Sequence, residues 1–361
     1  MNVYIDPTSP DHLGNALFKK NPGGDPSRPW RYTKEYCGRH NIIVNTIDFY
    51  GKKKPGNNDV YVSLEHTSFL RKLYWRIGRN RNYPTNINLN NFAKRILIQG
   101  EPPMADPAAY QSLRALFKIY DKIFFPFKSD GFAIGKDKVS GLRAGFYQMG
   151  FSRDEIPVCQ KNPVRKFLTM INTNRSPRNL KKILLLLSLG MKFQYLGYKE
   201  LLTERIRAIE FFGRTNDIDL YGYDWDKPLP FPYWFHEKRI LKAYKGVVQL
   251  KLQTLCDYTF SLVFENCALP SHISEKIFDC FYAGAIPVYL GAPDIEEYIP
   301  KNCFIHTRDF KNYEALRRFL KSLAPAEIKA YRENAHSFLQ SEKMNPFTLD
   351  HFAKLFVDAV I

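Results

Sequence analysis

The sequence has no CxxC pair, no repeat at a fixed short period and no apolar run long enough to cross a bilayer. Its six cysteines, Cys37, Cys159, Cys256, Cys267, Cys280 and Cys303, lie far apart, which excludes a zinc ribbon and a small disulfide scaffold and reads as free thiols in a reducing compartment. The most apolar stretch, Ile183 to Leu189, is seven residues including Ser188, against the roughly 20 that span a membrane. The opening residues, MNVYIDPTSPDHLGN, hold Asp, Pro and Gly where a secretory signal needs a basic start and an apolar core, so no leader is expected. Acidic side chains are scarce: 36 Asp and Glu against 53 Lys and Arg leave a formal charge of +17. Such a surface favours partners that carry phosphate, nucleic acid, or an anionic membrane face.

Hydrophobic residues make up 45% and aromatics 15% of the 361 residues, the composition of a folded globular chain, and the length suits two domains of ordinary size. Short apolar runs at 41–49, 59–65, 95–100 and 122–127 read as strands, with helical patterns at 67–77 and 107–118. The alternation resumes at 167–173 and continues with helices near 179–189 and 199–213, a strand at 217–222, a helix at 250–258, strands at 259–265 and 286–290, and a helix at 272–283. Strand and helix in turn predict an α/β fold with largely parallel sheets. The polar, glycine-rich stretch 128–165 separates the two rounds. The expected organisation is an N-terminal α/β domain over 1–150, a second over 151–345, and a C-terminal helix over 346–361 packing on the body. Leu349, Phe352, Phe356, Val357 and Val360 give that helix one apolar face.

The segment 257–306, DYTFSLVFENCALPSHISEKIFDCFYAGAIPVYLGAPDIEEYIPKNCFIH, carries the chemistry. It reads as a strand ending at Phe264-Glu265-Asn266, a turn through Pro270, a helix, Gly284, and a second strand over 286–290. A helix N-terminus that follows a strand and loop exposes unpaired amides and the positive end of its dipole, an anion site to which Lys276 adds a full charge. Glu275 beside it can accept hydrogen bonds from sugar hydroxyls. A Glu-Lys pair at a solvated helix start, favoured in any helix, is the plain alternative.

Taken whole, the segment resembles the α-1,3/1,4-fucosyltransferases of glycosyltransferase family 10, through FENC, HISEK and IPVYLG. About 50 residues resemble the family closely, with a looser likeness over Tyr244-Lys245-Gly246, Lys251 and Phe304 to Phe310. The resemblance implies a GT-B-like fold, two Rossmann-like domains facing a central cleft, and a GDP-fucose donor whose nucleotide is lined by Asn266, His272, Ile273, Glu275 and Lys276. His272 stands where the family has Tyr, and Cys267 and Ser274 stand where it has Ser and Thr. The family also uses an Arg before this segment to neutralise the phosphates; Lys242 or Lys245 sits roughly where it belongs, with Arg205 and Arg239 as other routes, and surface charge is the plain reading of all four.

In the first half the strand RILIQ breaks at Gly100-Glu101-Pro102-Pro103. A carboxylate at the end of a parallel strand is placed at a ligand-facing edge, and the resemblance implies that Glu101 is the general base. Asp217-Ile218-Asp219 and Asp224-Trp225-Asp226 fit a DxD metal pattern, but the first reads as a strand entry and the second as a loop, so no obligatory metal or other cofactor is expected. Arg71, Lys72, Arg76, Arg79 and Arg81, interleaved with apolar residues, read as a solvated helix face, as a contact for an anionic membrane or a phosphorylated acceptor, or as a contact for nucleic acid. Asn174-Arg175-Ser176 matches a glycosylation sequon.

The expectation is an inverting glycosyltransferase that moves fucose from GDP-fucose to a hydroxyl of an acceptor glycan, such as a bacterial surface polysaccharide or lipopolysaccharide, by α-1,3 linkage. The expected location is the cytoplasm, peripheral on the inner face of the membrane. Two rivals stand beside it: the same fold with another nucleotide sugar, and a basic nucleic-acid-binding protein.

Overall fold

A computed structural model describes residues 1–20, 27–52, 56–65, 83–84, 87–103, 105–111, 113–127, 139–141, 165–174, 184, 187–188, 198–227, 229 and 237–361 of the protein. The chain forms two compact units, Met1–Gly150 with Pro346–Ile361, and Phe151–Asn345. The helical pattern at 67–77 and the basic residues between Arg71 and Arg81 lie outside the described residues, as does most of 179–189.

The first unit contains β1 (Asn2–Asp6), α1 (Arg28–Arg39), β2 (Ile43–Thr46), β3 (Val60–Leu64), β4 (Lys94–Ile98), α2 (Pro107–Gln111), α3 (Leu113–Ile119), β5 (Lys122–Phe125) and β6 (Val139–Gly141). Its strands pair in the order β2-β1-β3-β4-β5-β6, all parallel. Runs such as Val60-Tyr61-Val62 and Ile96-Leu97-Ile98 are buried throughout, the pattern of a parallel sheet covered on both faces rather than of an alternating half-exposed strand.

The second unit contains β7 (Lys166–Ile171), β8 (Lys199–Glu200), α4 (Leu202–Arg214), β9 (Ile218–Tyr221), α5 (Glu237–Ala243), α6 (Lys251–Cys256), β10 (Tyr258–Phe264), β11 (Cys267–Ala268), α7 (Glu275–Ala283), β12 (Ile286–Leu290), β13 (Ile305–His306), α8 (Tyr313–Ser322) and α9 (Pro325–Gln340). Five of its strands form a parallel sheet in the order β13-β12-β10-β7-β9, while β8 and β11 pair antiparallel. The last helix, α10 (Leu349–Val360), returns to the first unit. Its Phe352 and Phe356 meet Trp30 of α1 edge-on, with ring centroids 5.4 and 6.3 Å apart, and join a core with Val3, Ile5, Val62 and Ile98.

Both sheets reverse their direction of growth once, between β1 and β3 and between β7 and β10. In doubly wound sheets ligands bind at the carboxyl ends of the strands flanking that switch. In the second unit those ends carry Asn172 after β7, Glu265 and Asn266 after β10, and Gly291 after the neighbouring β12. The backbone there is closely packed: a Cβ on Gly222, whose φ is +134°, would lie 1.9 Å from the carbonyl oxygen of Asn172, so only glycine fits.

Candidate functional site

The apolar run of β10 ends in a carboxylate, Glu265, that is completely buried. A buried charge must be paired and hydrogen-bonded, and α7 supplies the partners. Ser274, at the N-cap of α7, donates its backbone N–H to Glu265 Oε1 at 2.8 Å, and its Oγ lies 2.9 and 2.7 Å from Oε1 and Oε2. Lys276 Nζ reaches Glu265 Oε2 at 3.3 Å and Ser274 Oγ at 2.9 Å. Burial would raise the Glu265 pKa, but Lys276, His272 and the Ser274 amide outweigh it and hold it below the ordinary value. The sequence suggested an open helix terminus; the structure instead meets the α7 dipole with a carboxylate from the preceding strand. Gly291 closes over this cluster, since a Cβ there would lie 2.6 Å from Glu265 Cγ.

Behind it runs a second layer of charge. Lys251 on α6 lies 3.4 Å from Glu275 Oε1 and 2.6 Å from Asp279 Oδ2, one turn further along α7. Lys276 Nζ is 3.8 Å from Glu275 Oε1. Against the burial that would raise it, Lys276 and Lys251 bring Glu275 down to about 2, so it is ionised at neutral pH. Asp279 goes the other way, raised by its burial despite Lys251. Glu275 Oε2 is buried and has no hydrogen-bond partner among the described residues. An ionised acceptor left unsatisfied in the interior is costly, and a hydroxyl or N–H of a bound ligand would satisfy it.

Asn266 is fixed from the other side. The buried Arg205 donates through Nη2 to Phe264 O at 2.7 Å and to Asn266 Oδ1 at 2.8 Å. Of the basic candidates, Arg205 therefore buttresses the β10 terminus. Lys245 extends from the Tyr244 bridge to Asp219 Oδ1, 3.6 Å away. Asp219 also accepts from the Tyr258 hydroxyl and stands level with Thr169 of β7 and Ser261 of β10, two strands aside and, along the strand, roughly 13 Å short of Glu265. Lys242 is exposed on α5, and the Arg239 side chain lies outside the described set. The structure thus brings Asn266, Glu275 and Lys276 to the head of α7, with His272 and Ile273 buried in the intervening loop, while the Lys245 ammonium is paired with Asp219. Glu265, Ser274, Lys251 and Asp279 complete the cluster. A carboxylate following the apolar run Ser261-Leu262-Val263-Phe264 was the available signal for Glu265.

Glu101 belongs to the first unit. It stands three residues beyond β4, partly exposed, in a loop held by Gln99 Nε2 donating to Asp106 at 3.2 Å and by the Tyr110 hydroxyl donating to the Glu101 carbonyl at 2.7 Å. Its backbone is anchored close to the end of β4.

Among the described residues no three His, Cys, Asp or Glu side chains are grouped as metal ligands would be, and carboxylates of both DxD sequences have cationic partners. Asp217 is bound by Arg317 and Lys321, at 2.5 and 2.7 Å, and Asp224 by Lys227 at 2.5 Å. The cysteine expectation is corrected. Cys37, Cys267, Cys280 and Cys303 are free and buried, but Cys256, at the end of α6, is disulfide-bonded; Cys159 lies outside the described residues. Spacing along the chain does not limit pairing through space, and cytoplasmic residence, which rested on free thiols, loses that support. No described helix is long and apolar enough to cross a membrane.

Residues 201–346 match the model of the glycosyltransferase family 10 (fucosyltransferase) C-terminal domain. The chain is 39% identical over 86 residues to alpha-(1,3)-fucosyltransferase B of Drosophila melanogaster, covering 23% of this chain and 19% of that protein. It is 33% identical over 122 residues to the human 3-galactosyl-N-acetylglucosaminide 4-alpha-L-fucosyltransferase FUT3, covering 33% and 29%. Among solved structures, an alpha1,3-fucosyltransferase aligns over 100% of this chain and 90% of its own with a TM-score of 0.50 at 13% identity, a likeness of fold. The matched segments span under a third of the length of these curated relatives, and the two parallel α/β units are of the GT-B kind.

Proposed function

We propose, from the membership of residues 201–346 in the C-terminal domain of glycosyltransferase family 10, that the chain transfers fucose from GDP-fucose to a hydroxyl of an acceptor glycan, with inversion at the anomeric carbon. The observation that carries the proposal is the pairing at the head of α7 of an ionised carboxylate with one unsatisfied buried oxygen, Glu275, and a cation, Lys276. Glu275 Oε2 accepts from a hydroxyl of the donor. Lys276 shares its charge with Glu265 in the donor-free chain, and a diphosphate arriving at α7 competes for that ammonium. Lys276 then stabilises the charge that builds on the leaving diphosphate.

Glu101 is proposed as the general base. It takes the proton of the acceptor hydroxyl while that oxygen bonds to the anomeric carbon, and the bond from that carbon to the diphosphate oxygen breaks to release GDP. A bacterial surface polysaccharide or lipopolysaccharide is the proposed acceptor class, with α-1,3 linkage, and the +17 charge supports work beside an anionic membrane face. The test is product formation from GDP-fucose with a panel of galactosyl-N-acetylglucosaminides and lipopolysaccharide fragments. Glu101→Gln is expected to keep donor affinity and to lose about 10²–10⁴-fold in kcat. Undiminished turnover in that variant would remove Glu101 from the mechanism.

A further inference from the structure

We propose that Lys251 is a positioning residue of the α7 site: anchored on Asp279 behind Glu275, it keeps the Glu275 carboxylate charged, with its free oxygen turned to the donor, while a diphosphate occupies Lys276. This role rests on the donor reading proposed above.

The geometry separates the two cations. Lys276 reaches three groups at the head of α7: Ser274 Oγ at 2.9 Å, Glu265 Oε2 at 3.3 Å and Glu275 Oε1 at 3.8 Å. In the proposed reaction it also meets the diphosphate. Lys251 comes from α6 and spans one turn of α7, 2.6 Å from Asp279 Oδ2 and 3.4 Å from Glu275 Oε1. Both cations therefore lie on Oε1 of Glu275, which fixes the carboxylate and leaves Oε2 buried without a hydrogen-bond partner among the described residues. Asp279, buried one turn further along α7, holds Lys251 on the side away from the helix head. A ligand at that head competes for Lys276 and not for Lys251.

The charge balance decides what donor binding does. Two ammonium groups face three carboxylates, Glu265, Glu275 and Asp279, and a diphosphate brings further negative charge to the same pair. His272, in the loop before α7, acts on Glu265. The Cys267 and Cys280 thiols and the Tyr289 phenol, all raised by burial, stay neutral. In the donor-free chain Lys276 is the larger and Lys251 the smaller of the two attractions that hold Glu275 ionised. Once Lys276 is shared with the donor, Lys251 is the cation left to offset burial. Burial without a cation raises a carboxylate by several pH units, so a chain lacking Lys251 protonates Glu275 as the donor arrives. Protonation converts one acceptor oxygen to a donor and weakens the hold on a ligand hydroxyl.

The probe is GDP-fucose, whose diphosphate is esterified at both ends and does not titrate near neutrality, bound without acceptor to the full chain. Calorimetric titration in buffers of different ionisation enthalpy counts the protons taken up per donor. At about pH 6, Lys251→Met is expected to take up more than the unmodified chain, by up to about one proton. The bound state then holds the extra proton, so rising pH weakens the variant's binding relative to the unmodified chain, by up to about tenfold per pH unit. Lys251→Met/Asp279→Leu, chosen to regain the stability lost in the single variant, is expected to keep the excess, which separates positioning from support of the fold. Lys251→Arg retains a full charge and is expected to match the unmodified chain, and Glu275→Gln added to Lys251→Met is expected to abolish the excess. Equal proton counts in the unmodified chain and in both variants with Met at 251, or an excess that survives Glu275→Gln, would overturn this role for Lys251 while leaving the donor reading in place. Failure of GDP-fucose to bind the unmodified chain would overturn the donor reading, and this role with it.

Discussion

Replacing Lys251 by methionine would leave three buried carboxylates, Glu265, Glu275 and Asp279, sharing the ammonium of Lys276. Lys251 itself shows how strongly the pair is held: burial lowers an ammonium pKa, yet Asp279 and Glu275 raise that of Lys251 above its ordinary value. Removing one partner of a buried ion pair costs about 3–5 kcal/mol. The Lys251 side chain keeps 30% of its exposure, so some water remains to soften the loss and about 3 kcal/mol is the reasoned figure. For a unit of this size that lowers Tm by about 6–12 °C, at roughly 2–4 °C per kcal/mol. Urea titration and thermal melts of the full chain measure it. The double variant Lys251→Met/Asp279→Leu should recover most of the loss, because an apolar replacement of both partners is often near neutral. A single-variant loss below about 1 kcal/mol, or no recovery in the double, would refute the view that this network holds α6 to α7.

Acidification tests the same network. Glu275 is depressed from 4.5 to about 2, so its contribution is fully present above about pH 4.5 and disappears as pH falls toward 2. Glu275→Gln should therefore lose less stability across that interval than the unmodified chain. Asp279, raised by burial, acts in the opposite sense in both proteins, and equal acid slopes would contradict the assignment to Glu275. At Gly291 an added methyl would meet Tyr289 Oη at 2.2 Å and Glu265 Cγ at 2.6 Å; Gly291→Ala is expected to cost about 1–3 kcal/mol and to weaken GDP binding by displacing Glu265. Unchanged GDP affinity in that variant would separate Gly291 from the site.

Much of the second unit was legible because its punctuation is strong. Gly284, at φ 63°, ends α7 where the sequence placed the stop, and the apolar runs over 258–264 and 286–290 are too short for helices and became adjacent parallel strands. At the amino terminus, MNVYID is too short a run to announce a strand by pattern, yet Val3 and Ile5 are wholly buried in β1. Residues 267–268 lead in sequence toward the turn at Pro270 but form β11, because Lys199 and Glu200 lie opposite them. That pairing is long-range and leaves no mark in local pattern. The cluster at the head of α7 was legible where a motif names its residues, at Asn266, Glu275 and Lys276. It was not legible where a residue serves another, as Lys251 does for Glu275 and Asp279 across two helices. Lys245 shows the converse: proximity in sequence to the site suggested a phosphate ligand, while its ammonium is claimed by Asp219.

The most direct test of a GDP-sugar site at α7 is thermal stabilisation of the full chain by GDP, UDP, CMP and ADP in EDTA, then with Mn²⁺, since a ligand of the native state raises stability by RT ln(1 + [L]/Kd). Selective stabilisation by GDP in EDTA, lost in Lys276→Ala, is the predicted result. Stabilisation by another nucleotide instead of GDP, or a GDP response that survives Lys276→Ala unchanged, would contradict it.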